Sequence, residues 1–284
     1  MKSLLKINLN FQLLNKKPLP PAGASCFILG LLYLFSSCSS ITIPTRSKKS
    51  DLVSGPYVEF AGRDYADHFA SLKEPFLSTP GVKTVRMSPT TTRYLKTLLN
   101  DILSNNEIFF KGLDSATITV LDYEAPLHFS LPKGEIFLSK GLITKYIKHE
   151  SMLVSILSYE LVRSEKLLYP KQTLVPTGFV TLEKMLSLNR LSLDEKMEVH
   201  KWAHHITVRS GYDGEYYLSW LQTQNRNTAD FMLQVGDANL ITREESLFKA
   251  FLIKNMEDNE QVGSKKNSSK PFYTFLNSIR DGVL

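Results

Sequence analysis

Apolar residues recur at helical spacing in several separate stretches of this chain, and each pattern closes on a turn signal. In TRYLKTLLNDILSNNEI, residues 92–108, Tyr94, Leu95, Leu98, Leu99, Ile102 and Leu103 fall on one stripe, which predicts an amphipathic helix. Residues 143–168 return to the same period, with Met152, Leu153, Ile156, Leu157, Glu160 and Leu161 near one face, until Tyr169 and Pro170 stop it. Residues 193–210 predict a helix closed by Gly211 as a C-cap, and residues 215–224 and 244–256 predict two more. Two short stretches, ATITVL at 116–121 and GEIFLS at 134–139, predict strands. The phrase between them, YEAPLHFSLPKG, carries two prolines and reads as a turn, so the expected sheet is small and hairpin-like. Residues 171–191, with Pro176 and Gly178, predict a loop flanking a short helix, and residues 258–271 an exposed polar loop. The fold class expected is α+β, mostly helical, with a small β-sheet beside the helix of residues 143–168.

Before residue 84 the periodicity fades. Residues 38–85 are rich in Ser, Thr, Pro and Lys and predict a tether and loosely structured lead-in, leaving residues 86–284 as the folded domain. Residues 26–37, CFILGLLYLFSS, are an apolar run with lysines upstream and small residues at its end. A bilayer span needs about 20 residues, so this run has instead the length of a signal-peptide core. Leu34, Phe35, Ser36 and Ser37 before Cys38 resemble a bacterial lipobox, with Phe35 where an aliphatic residue is usual. The resemblance implies that residues 1–37 are a lipoprotein signal peptide and that Cys38 is acylated, giving a membrane-attached protein with no cysteine left for a disulfide. Ser39 and Ser40, in place of an aspartate, imply the periplasmic face of an outer membrane in a bacterial cell envelope.

Charge adds an exclusion. The formal net charge is +6, but Lys2, Lys6, Lys16 and Lys17 all precede Cys38 and no acid accompanies them; removing these four lysines lowers the charge to +2. A basic nucleic-acid-binding face is therefore not expected. There is no nucleophile-elbow signature and no Gly-rich phosphate loop.

The chemistry centres on SILSYELVRSEK, residues 155–166, where a glutamate stands three residues before an arginine in an apolar helical stretch. Taken with the preceding phrase PLHFSLPKGEIFLSKGLI and the later helix that runs into RSGYDGE, this order resembles the gluzincin zinc metallopeptidases of the HtpX, BepA and CAAX prenyl protease type, over roughly residues 90–225. In that family two histidines at i and i+4 bind Zn²⁺ and the glutamate between them acts as general base. The resemblance implies a degenerate site. Glu160 keeps the general-base position, while Tyr159 and Arg163 stand at the histidine positions, Lys196 at the third-ligand position and His200 at the family's aspartate. Tyrosine is a poor zinc ligand at neutral pH and Lys and Arg repel a cation, so no zinc or other cofactor is expected. Arg163, on the same face, and Lys196, from a facing helix, could neutralise the carboxylate.

The resemblance also makes Glu135, Ile136, Phe137, Leu138 and Ser139 a substrate-binding edge strand, followed by Gly141 and Leu142. The function it implies is that of an inactive metallopeptidase homologue binding a polypeptide or envelope protein along that edge, in a chaperone, assembly or scaffolding role. The rival is an active periplasmic zinc metalloendopeptidase with non-standard ligands, for which His200 and His204 at i and i+4 offer metal-ligand spacing; paired histidines on a surface helix are otherwise solvated. His128 and His149 have no partner at diagnostic spacing and read as satisfied structural residues. Tyr212, Tyr216, Tyr217 and Trp220 read as core first and binding surface second.

Overall fold

The computed structural model describes residues 62–169, 178–255 and 267–281. Cys38, the signal-peptide segment and most of the tether lie outside them. The elements in chain order are α1 (Gly62–Ser71), α2 (Lys73–Leu77), α3 (Pro89–Ser104), β1 (Thr117–Leu121), β2 (His128–Leu131), β3 (Glu135–Ser139), a π-helical turn (Leu142–Tyr146), α4 (Glu150–Lys166), α5 (Leu182–Leu188), α6 (Leu193–Arg209), α7 (Glu215–Arg226), α8 (Thr228–Val235), α9 (Ala238–Lys254) and α10 (Lys270–Asp281). This is an α+β fold in which helices predominate and one three-stranded mixed sheet is set among them. No helix of the described residues is long and apolar enough to cross a membrane.

Helix α4 is covered on all sides. Every residue from Glu150 to Ser164 is buried, so apolar and small residues surround the whole circumference rather than one stripe, with Glu150, Glu160 and Arg163 as charged exceptions. It packs along α6 and α7 and against β2. The imidazole of His149 caps its first turn, accepting from the Ser151 N–H at 3.3 Å. The buried carboxylate of Glu150 accepts from Tyr94 Oη at 2.8 Å and from the Ser269 N–H at 2.7 Å, tying α3 and the start of α10 to this helix. Tyr212, Tyr217 and Trp220 are buried in the same core, as their spacing indicated.

The sheet differs from the expected hairpin. Its order is β1-β3-β2, with β1 parallel to β3 and β2 antiparallel to β3. The strand missed from sequence is HFSL, which Pro126 and Pro132 bracket instead of interrupting. The β2–β3 turn passes through Lys133 and Gly134, both at positive φ, and α4 clamps it: Ser164 Oγ accepts from the Gly134 N–H at 2.7 Å and donates to the Leu131 carbonyl at 3.0 Å. After β3, Gly141 allows close approach, since a Cβ there would lie 2.0 Å from the carbonyl oxygen of Glu124.

The lead-in also needs correcting. Residues 62–71 and 73–77 are helical, and Phe69, Leu72 and Phe76 are buried with Phe129 and Phe137 of the sheet in a second core cluster. The Ser, Thr and Pro residues that suggested looseness serve here as helix ends and turns, and Thr79 Oγ1 bonds the backbone of Val180 at 2.9 Å.

Candidate functional site

Helix α4 carries Glu160 into the interior, where it has no solvent exposure at all. Both of its oxygens are engaged. Oε2 lies 3.2 Å from Arg163 Nη1 one turn on, and Oε1 lies 2.6 Å from His128 Nδ1 on β2. Burial works against ionisation of Glu160, but the Arg163 guanidinium and then His128 outweigh it and hold the carboxyl below the usual range. An ionised Glu160 can only accept, so His128 Nδ1 carries a proton. Arg163 is fastened in turn by the carbonyl and side-chain oxygens of Asn189, at 2.6 and 3.1 Å, although its buried Nε has no partner.

A second ion network stands nearby, and it corrects the expected partner of Lys196. That ammonium lies 2.5 Å from Glu244 on α9, not on Glu160. The other Glu244 oxygen is 3.2 Å from His200 Nε2, and His200 Nδ1 is 2.9 Å from Tyr217 Oη. Burial opposes ionisation of Glu244, but His200 and Lys196 together hold its carboxyl below the usual range. For His200, burial outweighs Glu244 and pushes the imidazole pKa down. A neutral His200 then donates from Nε2 to Glu244 and accepts at Nδ1 from the tyrosine hydroxyl. Each carboxylate therefore holds one histidine and one cation. The Tyr159 ring lies beside the imidazoles of both networks, its centroid 5.8 Å from His128 and 5.0 Å from His200.

The structure brings Tyr159, Arg163, Lys196 and His200 together around one cavity of about 40 Å³, which His128, Asn189, Arg190, Trp220, Gln224, Gln234, Val235 and Glu244 complete. Sequence reasoning missed His128 and Glu244. Their partners lie 32 and 44 residues away along the chain, and no local spacing links them. A larger cavity of about 260 Å³ lies elsewhere, between residues 79–83, 121–123 and 181–183.

These donors do not suit zinc. The cationic side chains of Arg163 and Lys196 line the cavity, both carboxylates are committed to ion pairs, and among the described residues no group of three or more His, Cys, Asp or Glu is arranged to hold a metal. His200 and His204 do not form the alternative pair. Both nitrogens of His200 are engaged within the network above, while His204 is buried among Tyr217, Phe248 and Phe251 with Nδ1 unpartnered. Neither is solvated, because α9 covers the face of α6 that carries them.

Glu135, Ile136, Phe137, Leu138 and Ser139 are not an edge strand. They form β3, the centre of the sheet, paired on both sides. The outer side of β2 is engaged as well: the Gln234 carboxamide accepts from the His128 N–H at 3.0 Å and donates to the His128 carbonyl at 2.6 Å. Beyond β1, residues 83–85 bond the backbone of Val120 and Asp122 at 2.8 Å each.

His204 makes one part of this region testable by pH. Burial, with a smaller contribution from His205, pushes its pKa down to about 4 from an ordinary 6.5. The unfolded chain thus binds the proton more tightly, and the stability linked to His204 is complete above pH 6.5 and lost as pH falls toward 4. The expected loss between pH 7 and 4.5 is about 2–3 kcal/mol from this residue. His200, Glu160 and Glu244, all held low, add to the acid sensitivity in the same sense. Urea unfolding at the two pH values should show a smaller acid loss in His204→Leu than in the parent; parallel pH profiles would contradict this account.

No protein-family model matches the chain, and no curated protein matches it in sequence.

Proposed function

We propose that this protein is a catalytically silent relative of the gluzincin metallopeptidases, carried as a lipoprotein in a bacterial envelope, which binds polypeptide in a chaperone, assembly or scaffolding role. The observation that carries the reading is the meeting of Tyr159, Arg163 and Lys196, assigned to the family's ligand positions from sequence, around a single cavity. Glu160 beside them is locked to Arg163 and His128, so its lone pairs are committed to holding the fold. A carboxylate with a fixed cation on one oxygen and an imidazole on the other is poorly placed to take a proton from water. Main-chain pairing along β3 is not part of this proposal, because both of its sides are taken.

Metal content tests the reading directly. Protein dialysed at neutral pH should retain no zinc, its thermal midpoint should be indifferent to EDTA, and casein cleavage should stay at background. Structural zinc is worth an apparent ~10–16 kcal/mol in small domains, so a real site would make chelation destructive. Stoichiometric zinc surviving dialysis would restore the active-enzyme alternative. The membrane part is tested separately with Cys38→Ser, which should release the protein from the membrane fraction or block its processing. Unchanged membrane attachment in that variant, with residues 26–37 retained, would point to a different anchor.

A further inference from the structure

The small cavity beside Glu160 has more donors than its own acceptors use. Arg163 is neutralised by Glu160 and Lys196 by Glu244, but among the described residues no salt bridge engages Arg190. Its guanidinium packs against Gly236, and among the described residues its one hydrogen bond is to the Leu233 carbonyl, at a long 3.5 Å. With His200 neutral, the two ion pairs cancel and Arg190 leaves the lining with a surplus positive charge at its exposed member.

The neutral donors point the same way. Tyr159, Trp220 and Gln224 are buried and line the cavity, and among the described residues none of their side-chain polar atoms has a hydrogen-bond partner. An indole N–H can only donate. Burial pushes the Tyr159 hydroxyl well above its ordinary range, so it keeps its proton at neutral pH. Glu160 fixes the His128 proton on Nδ1, so Nε2 of the neutral ring is an acceptor and adds no donor to the lining. Among the described residues the one carboxylate in the lining, Glu244, is turned to Lys196 and His200. The polar atoms of Tyr159, Trp220 and Gln224 are open to the cavity rather than sealed, while Arg163 Nε in the same lining is buried without an acceptor, which costs about 1–3 kcal/mol and favours a ligand that accepts.

Size narrows the choice. By this measure one water needs roughly 10–15 Å³, so about 40 Å³ admits around three heavy atoms. That is the count of a carboxylate group, whose two oxygens can take several donors at once.

We infer that this cavity is a carboxylate-binding site, entered past Arg190, in which Trp220, Gln224 and Tyr159 receive the carboxylate group of a polypeptide. This rests on the proposed peptide-binding role and deepens it: the partner would be held by an acidic group inserted where the related enzymes are expected to place their metal.

Isothermal titration of the full-length protein in low-chloride buffer tests the inference. The probes are N-acetylglycine, its amide, and N-acetylglutamic acid with an amidated α-carboxyl. Saturable binding of at least one free carboxylate, and none of N-acetylglycinamide, is the expected result; the two acids separate a chain terminus from an acidic side chain. Arg190→Gln, at an exposed position, and Gln224→Met, of similar volume, should each weaken that binding roughly tenfold or more while leaving the ligand-free thermal midpoint near the parent's. Equal binding of the amide, chloride competing as well as the carboxylates, no binding of any probe, or unchanged affinity in both variants would each overturn the inference. Zinc measured on the same sample reports on the inactive-homologue reading independently, so failure of one is distinguishable from failure of the other.

Discussion

Glu160→Gln is expected to destabilise the protein by about 3–5 kcal/mol while casein cleavage stays at background in the variant and the parent alike. Removing one member of a buried pair leaves the other charge uncompensated, and that penalty exceeds the pair's net worth. Arg163 is almost completely buried, and it would keep neutral partners, among them the two oxygens of Asn189, but no anion. His128 Nδ1 would face an amide in place of a carboxylate. Removing both charges together should cost less than the two separate losses added, so Glu160→Gln with Arg163→Met should show strong coupling in a double-mutant cycle. An exposed pair would be worth about 0–1 kcal/mol, so a loss in that range would mean the buried geometry is wrong. Proteolysis in the parent that disappears in Glu160→Gln would instead make Glu160 a working general base.

Phe76→Ala should cost about 3–5 kcal/mol, as large-to-small changes of buried aromatics do. Phe76 has no solvent exposure and stands edge-on to Phe129 at 5.6 Å and to Phe137 at 5.7 Å, which are themselves stacked 4.7 Å apart. The three rings join α2 to β2 and β3, so the loss should appear in the single unfolding transition of the whole domain. This separates two accounts of the segment. A loose lead-in would tolerate the substitution with a change within about 0.5 kcal/mol, as surface positions do. A full-sized loss in urea unfolding places α2 within the cooperative unit.

The same geometry shows why some features were open to sequence reasoning and others were not. The stripe of Leu95, Leu98, Leu99 and Ile102, the breadth of apolar residues around Glu160 and the glycine after Arg209 are local signals. The helices they predicted stand at residues 89–104, 150–166 and 193–209. The short spacing from Glu160 to Arg163 likewise placed two side chains on one helical face, and they meet. Tyr159, Arg163 and Lys196, to which the resemblance assigns ligand positions, line one cavity. The order of the strands and the partner of Lys196 depend on neighbours from elsewhere in the chain, and neither was legible. HFSL looked like a turn because its prolines were weighed without the strand beside it, and β3 looked like an edge because β2 had not been seen. Lys196 was given to Glu160 because Glu244, on a helix 48 residues further on, carries no mark in the sequence that it will arrive first. Helical periodicity comes from the chain's own geometry and can be read residue by residue. Pairing of buried charges and the order of strands are decided by which groups must leave water together, and only the packed structure determines that.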